Sequence, residues 1–139
     1  MAKMIDARPS FRGEARVWES LERLLPDSVV VYNNREVNGR EFDFCLLIEG
    51  VGILVIEVKG WLADKVLVEG VDRILVEGID APQRSPKKQA RAYRFALLNK
   101  ISEKYNSSPC VFDMVCYPFI SKAEYLSVRL DVVSEETLT

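Results

Sequence analysis

Residues 41–59 read EFDFCLLIEGVGILVIEVK, and this stretch decides the fold. Two apolar runs, 45–48 and 53–56, flank a short segment that contains Gly50 and Gly52. Apolar runs of this length on either side of a glycine-containing loop are typical of neighbouring β-strands. We therefore predict two strands, 41–48 and 53–59, that pair as an antiparallel hairpin, with Gly60 ending the second strand.

Three charged residues interrupt the apolar pattern of this hairpin. Side chains alternate between the two faces of a strand, so Asp43 faces away from Phe42 and Phe44, and Glu57 shares a face with Lys59. A three-residue loop at 49–51 would set Asp43 opposite Glu57, and a three-residue loop at 50–52 would set it opposite Lys59. Either loop puts all three charges on one face, whereas a two-residue loop would separate them.

Carboxylates held together on an apolar scaffold repel each other unless a cation is present. Hard oxygen ligands favour Mg²⁺ or Mn²⁺, with Asp43 and Glu57 as the ligands. A lysine beside such an ion can stabilise the charge that develops on a phosphate during hydrolysis. The alternative is that Glu57 and Lys59 are the solvated end of a buried strand.

The rest of the chain predicts an α/β fold, in which a mixed β-sheet is flanked by α-helices. Glu14 falls on the apolar stripe of the first predicted helix, and Ser85-Pro86 is typical of the start of the second. The predicted elements are a helix at 13–25, a strand at 28–32, a turn at 33–34, a hairpin turn at 38–39, a hairpin of strands 66–68 and 74–76, a helix at 85–104, and strands at 111–117 and 130–133.

Composition excludes several classes of protein. The 139 residues fit one domain, and the chain contains no histidine, which removes Ser-His-Asp and Cys-His catalysis. Three cysteines without a Cys-x-x-Cys pair argue for free thiols. No apolar segment is long enough for a membrane span or a signal peptide, so we expect a cytoplasmic protein. Residues 135–139 look like the first turn of a helix, which predicts that the chain is a fragment of a longer protein.

The net charge of −2 hides an uneven distribution. Residues 81–100 contain six basic residues and no acid, which leaves 13 basic and 21 acidic residues, a charge of −8, on the remainder. A basic segment on an acidic domain suggests an anionic ligand bound at one place, and a solvated helix face is the alternative. The candidate DNA-binding residues on this segment are Arg84, Lys87, Lys88, Gln89, Arg91 and Tyr93.

These features together resemble one family, the NERD (nuclease-related) domain of the PD-(D/E)XK nuclease superfamily. The resemblance covers about residues 11–93 and extends to the strand at 111–117, which gives a core of about 11–117. Glu-Val-Lys-Gly-Trp is its most specific piece. The resemblance rests on Gly13-Glu14-Ala15-Arg16-Val17-Trp18, Glu41-Phe42-Asp43-Phe44, the segment from Gly52 to Trp61, and Ser85-Pro86 followed by Gln89-Ala90.

The resemblance implies a restriction-endonuclease-like core and a metal-dependent deoxyribonuclease that acts in DNA processing or repair. Glu14, Asp43, Glu57 and Lys59 would be catalytic, with Asp43 and Glu57 as ligands of Mg²⁺ or Mn²⁺. Gln89 and Tyr93 match a Gln-x-x-x-Tyr motif that touches DNA or steadies the site. Domains of this family often accompany a covalently attached helicase or kinase module.

Two other functions remain open at this stage. The domain could keep the fold and bind nucleic acid without cutting it, or it could be a protein-interaction domain that never meets nucleic acid. Three costly charges retained on one face favour the nuclease.

Overall fold

The computed structural model describes residues 1–37, 39–105 and 109–134, without the side chains of Tyr105 and Ser134. The expected α/β architecture is confirmed. In chain order the described elements are β1 (Lys3–Met4), α1 (Arg12–Leu24), β2 (Val29–Val37), β3 (Arg40–Ile48), β4 (Gly52–Val58), a 3-10 turn (Ala63–Lys65), β5 (Val66–Gly70), β6 (Arg73–Val76), α2 (Pro86–Tyr105), β7 (Val111–Cys116), α3 (Lys122–Ser127) and α4 (Leu130–Ser134).

The central sheet is mixed and has the strand order β1-β2-β3-β4-β7. The β1–β2 and β4–β7 pairs are parallel, whereas β2–β3 and β3–β4 are antiparallel. Strands β5 and β6 form a separate two-stranded sheet, as their sequence predicts. The connection between β4 and β7 carries this small sheet and α2, which is long enough to return the chain to a parallel strand.

Helices cover both faces of the central sheet. On one face, Val17 of α1 packs with Phe44, Leu46 and Ile56. On the other face, Tyr93 and Leu97 of α2 pack against Cys45 and Val55. From Phe44 onward, alternating strand residues therefore belong to two different apolar clusters, which is what a sheet buried on both faces requires. The alternation breaks at Asp43: Phe42 and Phe44, which were predicted to share a face, lie in different clusters, and Phe42 packs with Cys45.

The loop between β3 and β4 decides the register of the hairpin. Ile48 pairs with Gly52 across a three-residue loop at 49–51, which is the first of the two predicted loops. Gly50 has a φ of +77° and Gly52 a φ of +137°, conformations that L side chains rarely adopt. A Cβ at Gly52 would also lie 2.4 Å from the Cys110 carbonyl oxygen, so only glycine fits there.

Helix α2 begins as its sequence predicts. The Ser85 hydroxyl oxygen accepts a hydrogen bond from the Lys88 backbone N–H at 3.3 Å, as an N-cap does. The same hydroxyl donates to the Val133 carbonyl oxygen at 2.7 Å, and Ser85 is fully buried. The cap therefore also fastens α4 to the start of α2.

Two predictions of secondary structure are wrong. Residues 33–34 form no turn but continue β2: Asn33 is buried and its side chain donates to the Ala7 carbonyl, and Asn34 adopts a φ of +54° within the strand. Residues 130–133 form a helix instead of a strand, because Leu130 and Val133 are spaced to share one helix face and both are fully buried.

Three short elements were not predicted, namely β1, the 3-10 turn and α3, and each is too short to leave a periodic pattern. The predicted hairpin turn falls partly on Asn38, which lies outside the described residues, but β2 and β3 do pair on either side of it. The expected helical turn at 135–139 also lies outside the described residues.

Cys45, Cys110 and Cys116 are free thiols, as expected. Among the described helices, none has the length and apolar character of a membrane span.

Candidate active site

Two carboxylates from adjacent strands form the centre of the candidate site. The β3–β4 register ends with Phe44 opposite Ile56, the pair next to Asp43 and Glu57, and the charge of Asp43 acts on Glu57. The Val58 backbone N–H donates to Asp43 Oδ2 at 2.7 Å, which fixes this carboxylate against β4. The Glu57 residue is only 5% exposed. The predicted juxtaposition of Asp43 and Glu57 is therefore present.

Lys59 completes the predicted group at the end of β4. Its Nζ lies 3.2 Å from Glu57 Oε1 and 5.7 Å from the centre of the Trp61 ring. The backbone N–H of Lys59 donates to the Cys116 carbonyl oxygen at 3.0 Å, so the residue still belongs to the β4–β7 ladder. This backbone anchor and the aromatic ring hold the ammonium beside the carboxylates and do not leave it to solvent.

Glu14 reaches the same place from α1. The first turn of α1 touches the end of β4, since a Cβ on Gly13 would lie 3.0 Å from the Gly60 Cα. At this separation the Glu14 side chain forms a hydrogen bond with Asp43. The two glycines thus allow an acid on a helix to join two charged groups on a sheet.

Burial raises the pKa of all three acidic groups, and the charge of Asp43 adds to the rise at both glutamates. Burial, then the nearby charge of Asp43, raises the pKa of Glu57 to about 7. Burial, the charge of Asp43 and the hydrogen bond to Asp43 raise the pKa of Glu14 to about 7. Burial also raises the pKa of Asp43, although the Val58 N–H and Glu14 oppose that rise by hydrogen bonding. Such a cluster gains from any added positive charge.

The oxygen atoms of this cluster suit a hard cation but do not enclose one. In the described part of the chain, no three His, Cys, Asp or Glu side chains converge as a ready set of metal ligands. Asp43 and Glu57 together supply two carboxylates. Mg²⁺ commonly keeps several waters and binds through one or two carboxylates and a phosphate, so a pair of ligands fits the group.

Gln89 and Tyr93 of α2 lie on the helix that covers this face of the sheet. Burial, then the charges of Glu57 and Asp43, raises the pKa of Tyr93 to about 12, which places this phenol near the carboxylates. The Gln89 Oε1 atom is buried and has no hydrogen-bond partner among the described residues. An acceptor of this kind calls for a donor from water or a ligand.

Four of the basic residues of this segment have acidic partners within the chain. Lys87 pairs with the buried Asp113, and Arg94 lies 3.2 Å from the same carboxylate. Lys88 and Arg84 lie 3.5 and 3.3 Å from Asp72. Asp113 and Asp72 are far from α2 in sequence, so local charge counting could not find these pairs. The predicted contacts of Lys87, Lys88, Arg84 and Arg91 with DNA stay predictions.

Sequence reasoning missed the walls of a cavity of about 630 Å³ above the site. This cavity reaches Glu14 and Lys59, and its aromatic and cationic lining includes Phe11, Arg12, Trp61 and Phe119. Only Trp61 belongs to a motif that the sequence displays. The spacing of Arg12 and Arg16, one helical turn apart, was the available signal for Arg12.

The sequence model of the nuclease-related domain (NERD) matches residues 9–118 of the chain. No curated protein and no solved structure gives a significant match. The matched range runs from just before α1 to the residues after β7 and includes all the acidic groups of the site and Lys59.

Proposed function

The chain belongs to the nuclease-related domain family, and from this premise we propose that it is a metal-dependent deoxyribonuclease that hydrolyses phosphodiester bonds in DNA processing or repair. The observation that carries the proposal is the convergence of Asp43, Glu57 and Lys59 at one end of a hairpin whose register is fixed. Glu14 joins them from a separate layer of the fold. A restriction-endonuclease-like sheet supports the same reaction class.

Asp43 and Glu57 would hold Mg²⁺ or Mn²⁺, with water and a substrate phosphate as the remaining ligands. A bound divalent ion would lower the pKa of a coordinated water and neutralise charge on the phosphate. Both carboxylates must be deprotonated to bind it, and their raised pKa values make that charge costly without an ion. The two carboxylates thus favour the binding of a divalent ion.

The chain's own residues would share the remaining tasks. Lys59 would leave Glu57 Oε1 and direct its ammonium at the phosphate, where negative charge grows as water attacks phosphorus. Glu14, in its ionised form, would take up the proton that the attacking water releases. The bond from phosphorus to the leaving oxygen then breaks, and solvent supplies the proton for that oxygen.

Gln89 and Tyr93 would orient the substrate. The unpartnered Gln89 Oε1 can accept a hydrogen bond from a base or an ordered water. Tyr93 stays protonated at physiological pH, so its hydroxyl can donate to a phosphate oxygen. Arg84, Lys87, Lys88 and Arg91 would add long-range attraction for the DNA backbone, which Asp72 and Asp113 reduce by pairing with three of them, Arg84, Lys87 and Lys88.

A second candidate is a nucleic-acid-binding module that does not cut. The observation in its favour is the 3.2 Å ion pair between Lys59 and Glu57, which satisfies one of the two carboxylates without any metal. A site closed in this way could bind DNA through its surface alone.

Cleavage assays separate the two candidates. We expect the purified chain to cut single- or double-stranded DNA with Mn²⁺ or Mg²⁺ and to stop in EDTA. Lys59→Ala should lower the rate by at least about 100-fold, because it removes the charge nearest the phosphate. Lys65→Ala is a matched control, since Lys65 also pairs with a glutamate, Glu77 at 3.5 Å, but lies outside the site.

Cutting that survives Glu57→Ala at an unchanged rate would overturn the nuclease proposal. DNA binding without cutting in either metal would favour the second candidate. No binding to DNA at low salt would leave the protein-interaction domain.

A further inference from the structure

A second concave surface lies beside the candidate active site on the outer side of α1. This surface encloses about 550 Å³ and is lined by Arg8, Arg12, Arg16, Arg23 and Phe119, which together we call the arginine pocket. Glu19 is the one acid in its lining, so four arginines against one glutamate give a formal net charge of +3. This concentration of positive charge stands on a chain whose net charge is −2.

The arginines of this pocket differ in whether they are neutralised. Arg8 pairs with Glu19 at 2.7 Å. Within the described part of the chain, no carboxylate lies within ion-pair distance of Arg12 or Arg16. These two residues are four apart on a helix, where like charges repel, so an anionic ligand would relieve the repulsion.

Phe119 arranges the unpaired guanidinium groups. Arg12 lies 5.2 Å and Arg16 5.6 Å from the centre of the Phe119 ring, both within cation–π distance. A guanidinium held against an aromatic ring keeps its N–H groups free at the edge, where they can bind phosphate oxygens. The pocket is therefore preorganised for a phosphate group.

The arginine pocket continues into the cavity above the candidate active site. Arg12 and Phe119 line both concavities, and the second one contains Glu14 and Lys59. Together they form one track from the arginines to the catalytic lysine. A polyanion bound in the arginine pocket would thus pass directly to the reacting groups.

The part of this track nearest the site is aromatic and apolar. Phe11 is 75% exposed and Leu62 is 48% exposed, and both line the cavity with Trp61. An exposed aromatic ring beside a row of arginines is suited to a strand whose bases are unpaired, because such a base can stack on the ring. A duplex keeps its base faces stacked inside and would gain nothing from Phe11.

We propose that the arginine pocket and the adjoining aromatic cavity bind one unpaired strand of DNA and lead it to the active site. The inference rests on the proposed nuclease function for its catalytic consequence. It specifies the substrate class as single strands, flaps or frayed ends in place of intact duplex. Arg12 and Arg16 hold the phosphates, Phe119 keeps their guanidinium groups in place, and Phe11 stacks against a base.

The test measures binding apart from cleavage. Fluorescence anisotropy is recorded in EDTA with a labelled oligothymidine of about 20 nucleotides, longer than the roughly 4 to 16 that a groove of this kind covers. A duplex of equal length is the competing ligand. We expect the single strand to bind at least about tenfold more tightly than the duplex.

Arg12→Gln/Arg16→Gln should weaken single-strand binding by at least about tenfold and lower the salt slope by about 1.4, or 0.7 for each lost phosphate contact. The matched control Lys3→Gln/Arg73→Gln removes the same charge from exposed positions elsewhere and should change affinity less than about twofold. Phe11→Leu keeps an apolar side chain and should reduce affinity by at least about fivefold with an unchanged salt slope. Circular dichroism of each variant verifies the fold.

Equal effects of the two double variants would overturn the inference, as would equal affinity for single strand and duplex. If Arg12→Gln/Arg16→Gln lost binding to phosphatidylserine vesicles but kept its affinity for DNA, the pocket would be assigned to a lipid surface. That result would also overturn the inference. Cleavage in Mn²⁺ distinguishes the two proposals. If the unsubstituted protein binds single strands through Arg12 and Arg16 but never cuts, only the nuclease proposal is refuted. If the Arg12→Gln/Arg16→Gln variant cuts DNA at the normal rate, only the strand track is refuted.

Discussion

Glu57 is the residue at which burial and chemistry conflict most directly. It is 5% exposed, lies beside Asp43, and has Lys59 as its ion-pair partner. Leaving a carboxylate in such a place costs stability whenever it is ionised without sufficient positive charge. The residue therefore makes sense as a ligand, since stability alone would favour a neutral side chain.

The pH dependence of unfolding tests this view. The folded state keeps a proton on Glu57 up to about pH 7, whereas the unfolded chain releases it near the ordinary value of 4.5. The favourable contribution is therefore complete below pH 4.5 and is lost as the pH rises through 7. Without divalent metal, Glu57→Gln should stabilise the protein at pH 8 by about 1 to 3 kcal/mol and by much less at pH 5.

Thermal unfolding in EDTA at the two pH values measures the difference. Glu69→Gln is the control, because Glu69 is an exposed partner of Arg73 and should show little change. Addition of Mn²⁺ should stabilise the unsubstituted protein more than Glu57→Gln. A Glu57→Gln protein that is less stable at pH 8 would contradict the prediction.

Asp113 is a residue whose importance the sequence could not reveal. Its side chain is 2% exposed and holds Lys87 and Arg94 of α2. The basic character of residues 81–100 is obvious in the sequence, but the acids that neutralise part of it come from β7 and from the loop before β6. A run of basic residues in a sequence indicates an anionic ligand only when the distant acidic residues that pair with it are known.

Among the elements, the crossing of α1 and β4 determines whether the site can assemble. A Cβ on Gly13 would lie 3.0 Å from the Gly60 Cα, a contact with backbone that cannot simply rotate away. A Cβ on Gly60 would meet its nearest atom, the Gly13 Cα, at 3.5 Å, an ordinary contact. The two glycines share one crossing but differ in the space beside them.

Gly13→Ala should therefore push α1 outward, cost about 1 to 3 kcal/mol of stability, and lower cleavage by about tenfold as Glu14 moves from Asp43. Gly60→Ala is the matched control and should cost less than about 0.5 kcal/mol with near-normal cleavage. Thermal unfolding and cleavage rates of the two variants give the comparison. Equal rates for both would mean that the crossing does not position Glu14.

Elements differ in how well their sequences predict them. The β3–β4 hairpin and α2 are long and regular, and a serine cap begins α2. Their sequence patterns were therefore sufficient to predict them. Residues 130–133 are four in number and apolar, and such a segment fits a strand or a helix until its burial partners are known. Those partners, Trp61 and Ile74, come from other parts of the chain.

At the scale of the whole molecule, the sequence predicts the charged end of the hairpin better than its surroundings. Alternation along β4 is enough to put Glu57 and Lys59 on one side of the sheet, and the loop register brings Asp43 beside them. The proposed track from the arginine pocket to the candidate active site depends on Phe119, which follows β7 and meets α1 only in the folded protein. Tertiary proximity of this kind leaves no local signal in a single sequence.

The loop at 49–51 offers a practical attachment point on the whole fold. Gly50 has open space around its absent side chain, and the loop end is about 17 Å from Asp43, five strand residues away at about 3.4 Å each. Packing on both faces of the sheet fixes the β3–β4 register, so a short tetracysteine tag inserted after Gly50 should lengthen only the turn. The expected loss in free energy of unfolding is about 0.6 kcal/mol per doubling of loop length.

Such a tagged protein should unfold and cleave DNA like the untagged one, whereas Gly52→Ala, two residues away, should be markedly destabilised because its methyl group would meet the Cys110 carbonyl oxygen at 2.4 Å. Differential scanning fluorimetry of both variants checks this contrast, and a tag that unfolds the domain would contradict it. One end of the hairpin would then carry a fluorescent reporter while the other performs the reaction.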